Sequence, residues 1–275
     1  MIRWYRVKSF VWRELLIWWA SGTSCLSGAA LLAGSAYFFF TYLASFQERM
    51  RQYNAGFLGE VNRPSLRGMV IEPYFETIGF LLVFLVPLLA SRLFLSDRQN
   101  GFLEYLFSLP VRMSEFVLGK FAAGIFNLLG ALLLVSVPAF VLLASSNMSA
   151  LPVIFGFTSL FLVSSFYLAM GMALSMYVKQ VTPLVISHFS ILMVLYFLPA
   201  ISNDAAFGLG EFIKLMSPVP YSRLIIEGFV SVSVIGFFVA GVVSCLLMNI
   251  LLLAAERYLQ GSRSVQFEGQ GGIDA

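Results

Sequence analysis

The chain has 275 residues, 59% of them apolar and 11% charged, with a mean hydropathy of +0.88. A water-soluble domain has about 45–50% apolar and about 25% charged residues, so the composition excludes a soluble fold and points to one that uses the bilayer as solvent. The net charge of +3 is spread between hydrophobic runs without any Lys/Arg block, which sets nucleic-acid binding aside.

Residues 1–21 come first and carry all four tryptophans. On a helix of about 3.6 residues per turn, Trp4, Val7, Val11, Trp12, Leu15, Trp18 and Trp19 gather on one side and Arg6, Ser9 and Arg13 on the other. Lys8 and Phe10 break the pattern. Tryptophan beside a basic face predicts an amphipathic helix lying in the membrane interface; a frayed arm is the alternative. The basic stretch before the first apolar run is long, and the run exceeds the roughly 7–15 residues of a signal core, so it is read as a retained span.

A spanning helix needs about 20 mainly apolar residues. Gly22–Phe46, Thr77–Leu95, Val117–Leu143, Pro152–Val178, Val181–Ala200 and Phe229–Ala254 meet that length, giving an all-α polytopic domain over 22–254. Inside these spans Arg92 and Lys120 are the only formally charged side chains, both near span ends, where snorkelling to the headgroups is expected. Of the 17 Lys and Arg residues, 11 fall on the side holding both termini, so that side is expected to be cytoplasmic. Residues 47–71 and 201–228 then lie outside. Residues 255–275 are polar and Gly-rich and read as a disordered tail. Cys25 and Cys245 sit in spans and read as packing residues, with a disulfide or metal pair as the minor reading.

Candidate chemistry is sparse. Gly119-Lys120 is the only Gly-Lys pair, but Ser114 stands where a phosphate loop needs its first glycine and Phe121 follows the lysine. Gly208-Leu209-Gly210 fails as a dinucleotide motif because Ile213 takes the third glycine position. No enzyme activity, bound cofactor or metal is therefore expected of this chain. His188, the single histidine, lies in the fifth span. It reads either as a proton carrier or substrate contact, or as an interhelical hydrogen bond to a hydroxyl. Glu72 and Glu76 are spaced i, i+4 at the outer mouth of the second span. They line a substrate exit or meet a periplasmic partner in one reading, and pair with Arg63 or Arg67 in the other. Gly236, Ala240, Gly241 and Ser244 offer a small-residue surface for a dimer seam or for packing within one subunit.

The connection between spans two and three is the most distinctive segment. Asn100-Gly101 is a break, and Phe102 to Leu109 predicts two helical turns stopped by Pro110. Glu104 and Ser108 share one face, with Phe102, Leu103, Leu106 and Phe107 around the rest. So apolar a helix either inserts into a groove on another protein or lies on the membrane.

Here the sequence resembles the permease subunits of ABC transporters of the type-2 exporter class, and among them the gliding-motility and nitrous-oxide-reductase-maturation permeases. Asp97, Gly101, Leu103, Glu104, Leu106, Leu109-Pro110-Val111 and Gly119-Lys120 match the family's first cytoplasmic loop. Leu215-Met216-Ser217-Pro218-Val219-Pro220 and Glu227-Gly228 give a second match before the last span. Phe102, Arg98 and Gln99 depart from the pattern. The resemblance implies two permease chains, homo- or heterodimeric, in a bacterial inner membrane, above a separate ATPase that holds ATP and Mg. Residues of about 98–109, with Arg98, Phe102, Leu103, Glu104, Leu106, Phe107 and Ser108, would form the coupling helix. The rival readings are a secondary transporter driven by an ion gradient, which would show paired broken helices and midplane charges, and an intramembrane enzyme.

Overall fold

A computed structural model describes residues 12, 22–57, 63–99, 101, 105, 112–146, 148–178, 180–202 and 215–271. Among the described residues every regular element is helical, as a bilayer demands of a chain that must satisfy its own backbone. They are α1 (Gly22–Asn54), α2 (Glu72–Gln99), α3 (Met113–Ser145), α4 (Leu151–Leu174), α5 (Val181–Ser202), α6 (Pro218–Ile226) and α7 (Val232–Gly271). All but α6 are long and apolar enough to cross a membrane, six helices among the described residues, which makes this a multi-pass membrane protein.

The centre is formed by α2 and α4. Just over half of each one's most apolar stretch is buried (56%), against 17% for α1 and α5 and 22% for α7. The outer helices turn large apolar side chains outward, Phe40, Val194 and Leu251 among them. In a bilayer that surface meets lipid. The central pair approaches closely because glycine removes the obstacle: Gly156 of α4 lies under the ring of Phe75 and Gly171 against the Ala90 methyl of α2, while His188 of α5 also packs over Gly171. This is the small-residue packing expected where no hydrophobic force draws helices together. Tyr74 of α2 donates its hydroxyl hydrogen bond to the Val135 carbonyl of α3 at 2.5 Å, and Tyr42 of α1 meets Thr77 of α2 at 2.7 Å.

Several expected boundaries shift. α1 continues eight residues past Phe46 to Asn54, and α4 stops at Leu174, short of Val178. The tail after Ala254, expected to be disordered, continues α7 as backbone helix to Gly271. An existing helix adds residues without a new nucleation cost, and Glu256, Arg257, Leu259 and Gln260 are good helix formers. α2 is preceded by a π-helical turn at Arg67–Ile71, a form that often marks functional sites.

Lys120 corrects another expectation. It is 1% exposed and does not snorkel. Its Nζ donates to the Leu93 carbonyl near the far end of α2 and lies 5.5 Å from the centre of the Phe116 ring. The neighbouring helix offers it a carbonyl within reach. Arg92, by contrast, is exposed.

Candidate functional site

The described structure gathers polar side chains at the end of the bundle where α6 sits. Ser217 takes an extended backbone conformation at the start of α6, and its hydroxyl accepts from the Val219 N–H at 3.3 Å. Pro218 follows at the first helical position, where a missing N–H costs nothing. The same Ser217 hydroxyl donates to the Leu195 carbonyl at 2.7 Å, tying α6 to α5. Gly228, at φ +90°, then turns the chain towards α7.

Two charged contacts fasten α6 to α2. Arg223 donates from Nε to Glu76 Oε1 at 2.9 Å and from Nη2 to Oε2 at 3.5 Å. Arg67, aimed by the π-helical turn, donates from Nε to Glu72 Oε1 at 2.7 Å and from Nη2 to the Glu227 carbonyl at 2.5 Å. Glu72 and Glu76, one helical turn apart, thus serve different partners, and neither uses Arg63. The Arg223 and Glu76 side chains are 58% and 37% exposed, so this pair sits at the aqueous or headgroup level.

Beneath the Arg223–Glu76 pair is a small cleft of about 30 Å³. Its polar lining is Ser159, Ser222, Tyr167 and Tyr196, and its apolar walls include Phe75, Leu160, Val163 and Ile226. Ser159 donates to the Ser222 carbonyl at 2.9 Å and Ser222 to the Val219 carbonyl at 2.8 Å. The cleft is therefore a seam between α2, α4, α5 and α6, with charge at its mouth and hydroxyls inside. Among these residues only Glu76 was a sequence candidate. Arg223 pairs across 147 positions of chain, which no local pattern reveals.

His188 lies elsewhere and does not line the cleft. It is 1% exposed, and neither ring nitrogen completes a hydrogen bond. The hydroxyl partner of the simpler reading is not present; the ring is held by its fit over Gly171. No group of three or more His, Cys, Asp or Glu side chains that could hold a metal occurs among the described residues. Cys245 is a free thiol.

The small-residue surface on α7 divides. A methyl on Gly241 would lie 2.5 Å from the Phe166 ring, so Gly241 packs within the subunit. Gly236, Ala240 and Ser244 are exposed, and nothing lies within 4 Å of a methyl on Gly236. Of the segment expected to form a coupling helix, Gly101 adopts φ +69°, the Tyr105 N–H donates to its carbonyl at 3.3 Å, and Tyr105 is exposed. Arg98 belongs to the backbone of α2. Phe102, Leu103, Glu104, Leu106, Phe107 and Ser108 lie outside the described residues, as does the N-terminal segment apart from an exposed Trp12.

Compared with models of protein families the chain matches none, and a search of curated proteins found no match.

Proposed function

We propose that the chain is the transmembrane permease subunit of an ATP-driven ABC exporter. It would couple ATP hydrolysis by a separate ATPase subunit to export or to mechanical signalling across the membrane. The carrying observation is the motif running from Asp97 through Glu104 to Gly119-Lys120. It falls on the one connection that joins α2 to α3, and its last residue bonds back to α2 at the Leu93 carbonyl. A push on this connection has a direct route into a central helix, which is how a rigid-body switch is biased from outside.

In this reading residues 98–109 are the coupling helix, residues 1–21 lie in the membrane interface, and both termini are cytoplasmic in a bacterial inner membrane. A second permease chain and the ATPase complete the assembly, and ATP and Mg belong to the ATPase. The α6 end then faces outward, where Glu72 and Glu76 lie near a periplasmic partner or the exit of a substrate path.

The deciding experiment is co-purification with the candidate ATPase and measurement of ATP turnover. Glu104→Ala should weaken assembly or uncouple turnover while the helices insert normally. Stranding a buried charge costs about 3–5 kcal/mol; at an exposed contact the loss stays below roughly 1 kcal/mol. Leu106→Asp should do similar damage. Glu115, the next carboxylate along, is 2% exposed and unsuitable as a control. Thr182→Ala, exposed at the same end of the bundle, is the better control. Normal assembly and turnover of Glu104→Ala would remove that residue from the coupling contact, and robust ATP turnover by the purified chain alone would end the reading.

A further inference from the structure

We propose that the cleft beneath Glu76 and Arg223 binds a primary ammonium joined to an anionic group, the headgroup chemistry of an ethanolamine phospholipid. Charge comes first. The mouth holds one carboxylate and one guanidinium, so its formal charge sums to zero and it favours a zwitterion over a plain anion or cation. The two groups face each other at 2.9 Å through one good contact, the second being long at 3.5 Å. A half-exposed ion pair is parted cheaply, and each half then meets the opposite charge on the ligand.

The hydroxyls inside add direction. Ser159 and Ser222 both spend their protons on backbone carbonyls. What they turn to a ligand is lone pairs alone, which accept from N–H and offer nothing to a phosphate oxygen. Glu76 likewise only accepts. Glu76 and the two serines therefore favour a donor, the Tyr167 and Tyr196 hydroxyls can donate or accept, and the anion is left to Arg223 at the more exposed mouth.

Size supplies the third restriction. A water needs about 10–15 Å³ of such free volume, and the cleft has about 30 Å³, room for about two water-sized groups. An ammonium and its adjoining methylene are two such groups. A trimethylammonium, with four heavy atoms around one centre, does not enter. The outer walls of the bundle are apolar and face lipid, so a phospholipid headgroup is the most abundant source of this chemistry at that level.

The inference needs no ATPase partner and holds in either orientation of the chain, so its failure leaves the permease reading untouched. The test uses the full chain purified in detergent, with glycerophosphoethanolamine, glycerophosphocholine and glycerophosphate titrated as soluble probes. The ethanolamine ester should bind at least about tenfold more tightly than the other two, as expected when a charge-assisted hydrogen bond is gained. Glu76→Gln should lose about that factor. Gly79→Ala is the second variant, because Gly79 lines the cleft and its methyl would meet Leu160 at an ordinary 3.7 Å. It should keep the parent's melting temperature and still weaken the ethanolamine ester. Mass spectrometry of the chain extracted from mixed ethanolamine and choline phospholipid vesicles then identifies the source. Enrichment of the ethanolamine lipid supports a bilayer source, and binding of the soluble ester without enrichment supports the same chemistry from a free headgroup. Equal binding of the choline ester, equal binding of glycerophosphate, or an unchanged Glu76→Gln variant overturns the proposal.

Discussion

Placing a methyl group on Gly156 tests the centre of the bundle and the wall of the cleft at once. In Gly156→Ala the new carbon would sit 2.2, 2.5 and 2.6 Å from three carbons of the Phe75 ring. Carbon atoms normally rest about 3.5–4.0 Å apart, so α2 and α4 must separate by roughly 1 Å or the ring must swing. The ring is fully buried and packed edge-on against Tyr74 at 5.6 Å, which leaves it little room. Overpacking of this kind costs about 1–3 kcal/mol. Replacing a helical glycine by alanine also returns up to about 1 kcal/mol of propensity. Gly130→Ala in α3, where nothing lies within 4 Å of the new methyl, gains the same propensity without the clash. The propensity gain cancels between the two, so Gly156→Ala should be less stable than Gly130→Ala by about 1–3 kcal/mol. At roughly 2–4 °C per kcal/mol, thermal melts in one detergent resolve that difference. If Gly156→Ala melts at or above Gly130→Ala, the close approach of α2 to α4 at this point is wrong.

Three further expectations follow from placement. With Cys25 and Cys245 replaced, Ser65→Cys should react with an impermeant maleimide in intact cells; reaction only after permeabilisation reverses the proposed orientation. Lys120→Met keeps most of the buried volume and should cost less than Lys120→Ala, which adds a cavity to the loss, a truncation that in cores costs about 2–5 kcal/mol; equal and small effects in melting experiments would restore the snorkelling lysine. Gly241→Leu should destabilise the single chain through Phe166, whereas Gly236→Leu should leave its melting unchanged and lower self-association by energy transfer between labelled chains in vesicles; self-association unaffected by Gly236→Leu moves the dimer seam elsewhere.

The spans were legible because apolar length is what a bilayer selects, and all six appear where the hydropathy places them. Their ends were less legible. The polar run Gln47–Asn54 reads as loop by composition, yet it extends a helix already nucleated in α1. Lys120 shows the same limit from another side: hydropathy locates a lysine near a span end but not the carbonyl that a neighbouring helix brings to it. α6 did carry a signal. Ser217-Pro218 is a helix start, a capping hydroxyl followed by proline at the first helical position. The cleft carried none, since its polar lining comes from four helices and its ion pair joins residues 147 apart. On α7, spacing grouped Gly241 with Ala240 although neighbours on a helix point about 100° apart, and only the position of Phe166 separates them.

The two ends of α2 are held by contacts of different strength, and this bears on how the bundle could work. Near the α6 end, Arg67–Glu72 with the Glu227 carbonyl, and Arg223–Glu76, are half-exposed contacts. Exposed ion pairs contribute about 0–1 kcal/mol each and weaken in salt. Near the other end, the Lys120 ammonium is buried and bonded to the Leu93 carbonyl. Breaking a contact of a buried charge is several times more costly than breaking an exposed one. From Arg67 to Leu93 a helical rise of about 1.5 Å per residue gives a lever of roughly 39 Å. Force applied at the α2–α3 connection would therefore reach the far end before the lysine gave way, and the contacts that yield first would be those over the cleft. α6 is tied to α5 by Ser217 and to α4 by Ser159, so a displacement of α2 against α6 must also work against the packing of Phe75 on Gly156. On this arrangement the cleft widens between Glu76 on α2 and Arg223 on α6, the two charges that the proposed ligand would hold apart.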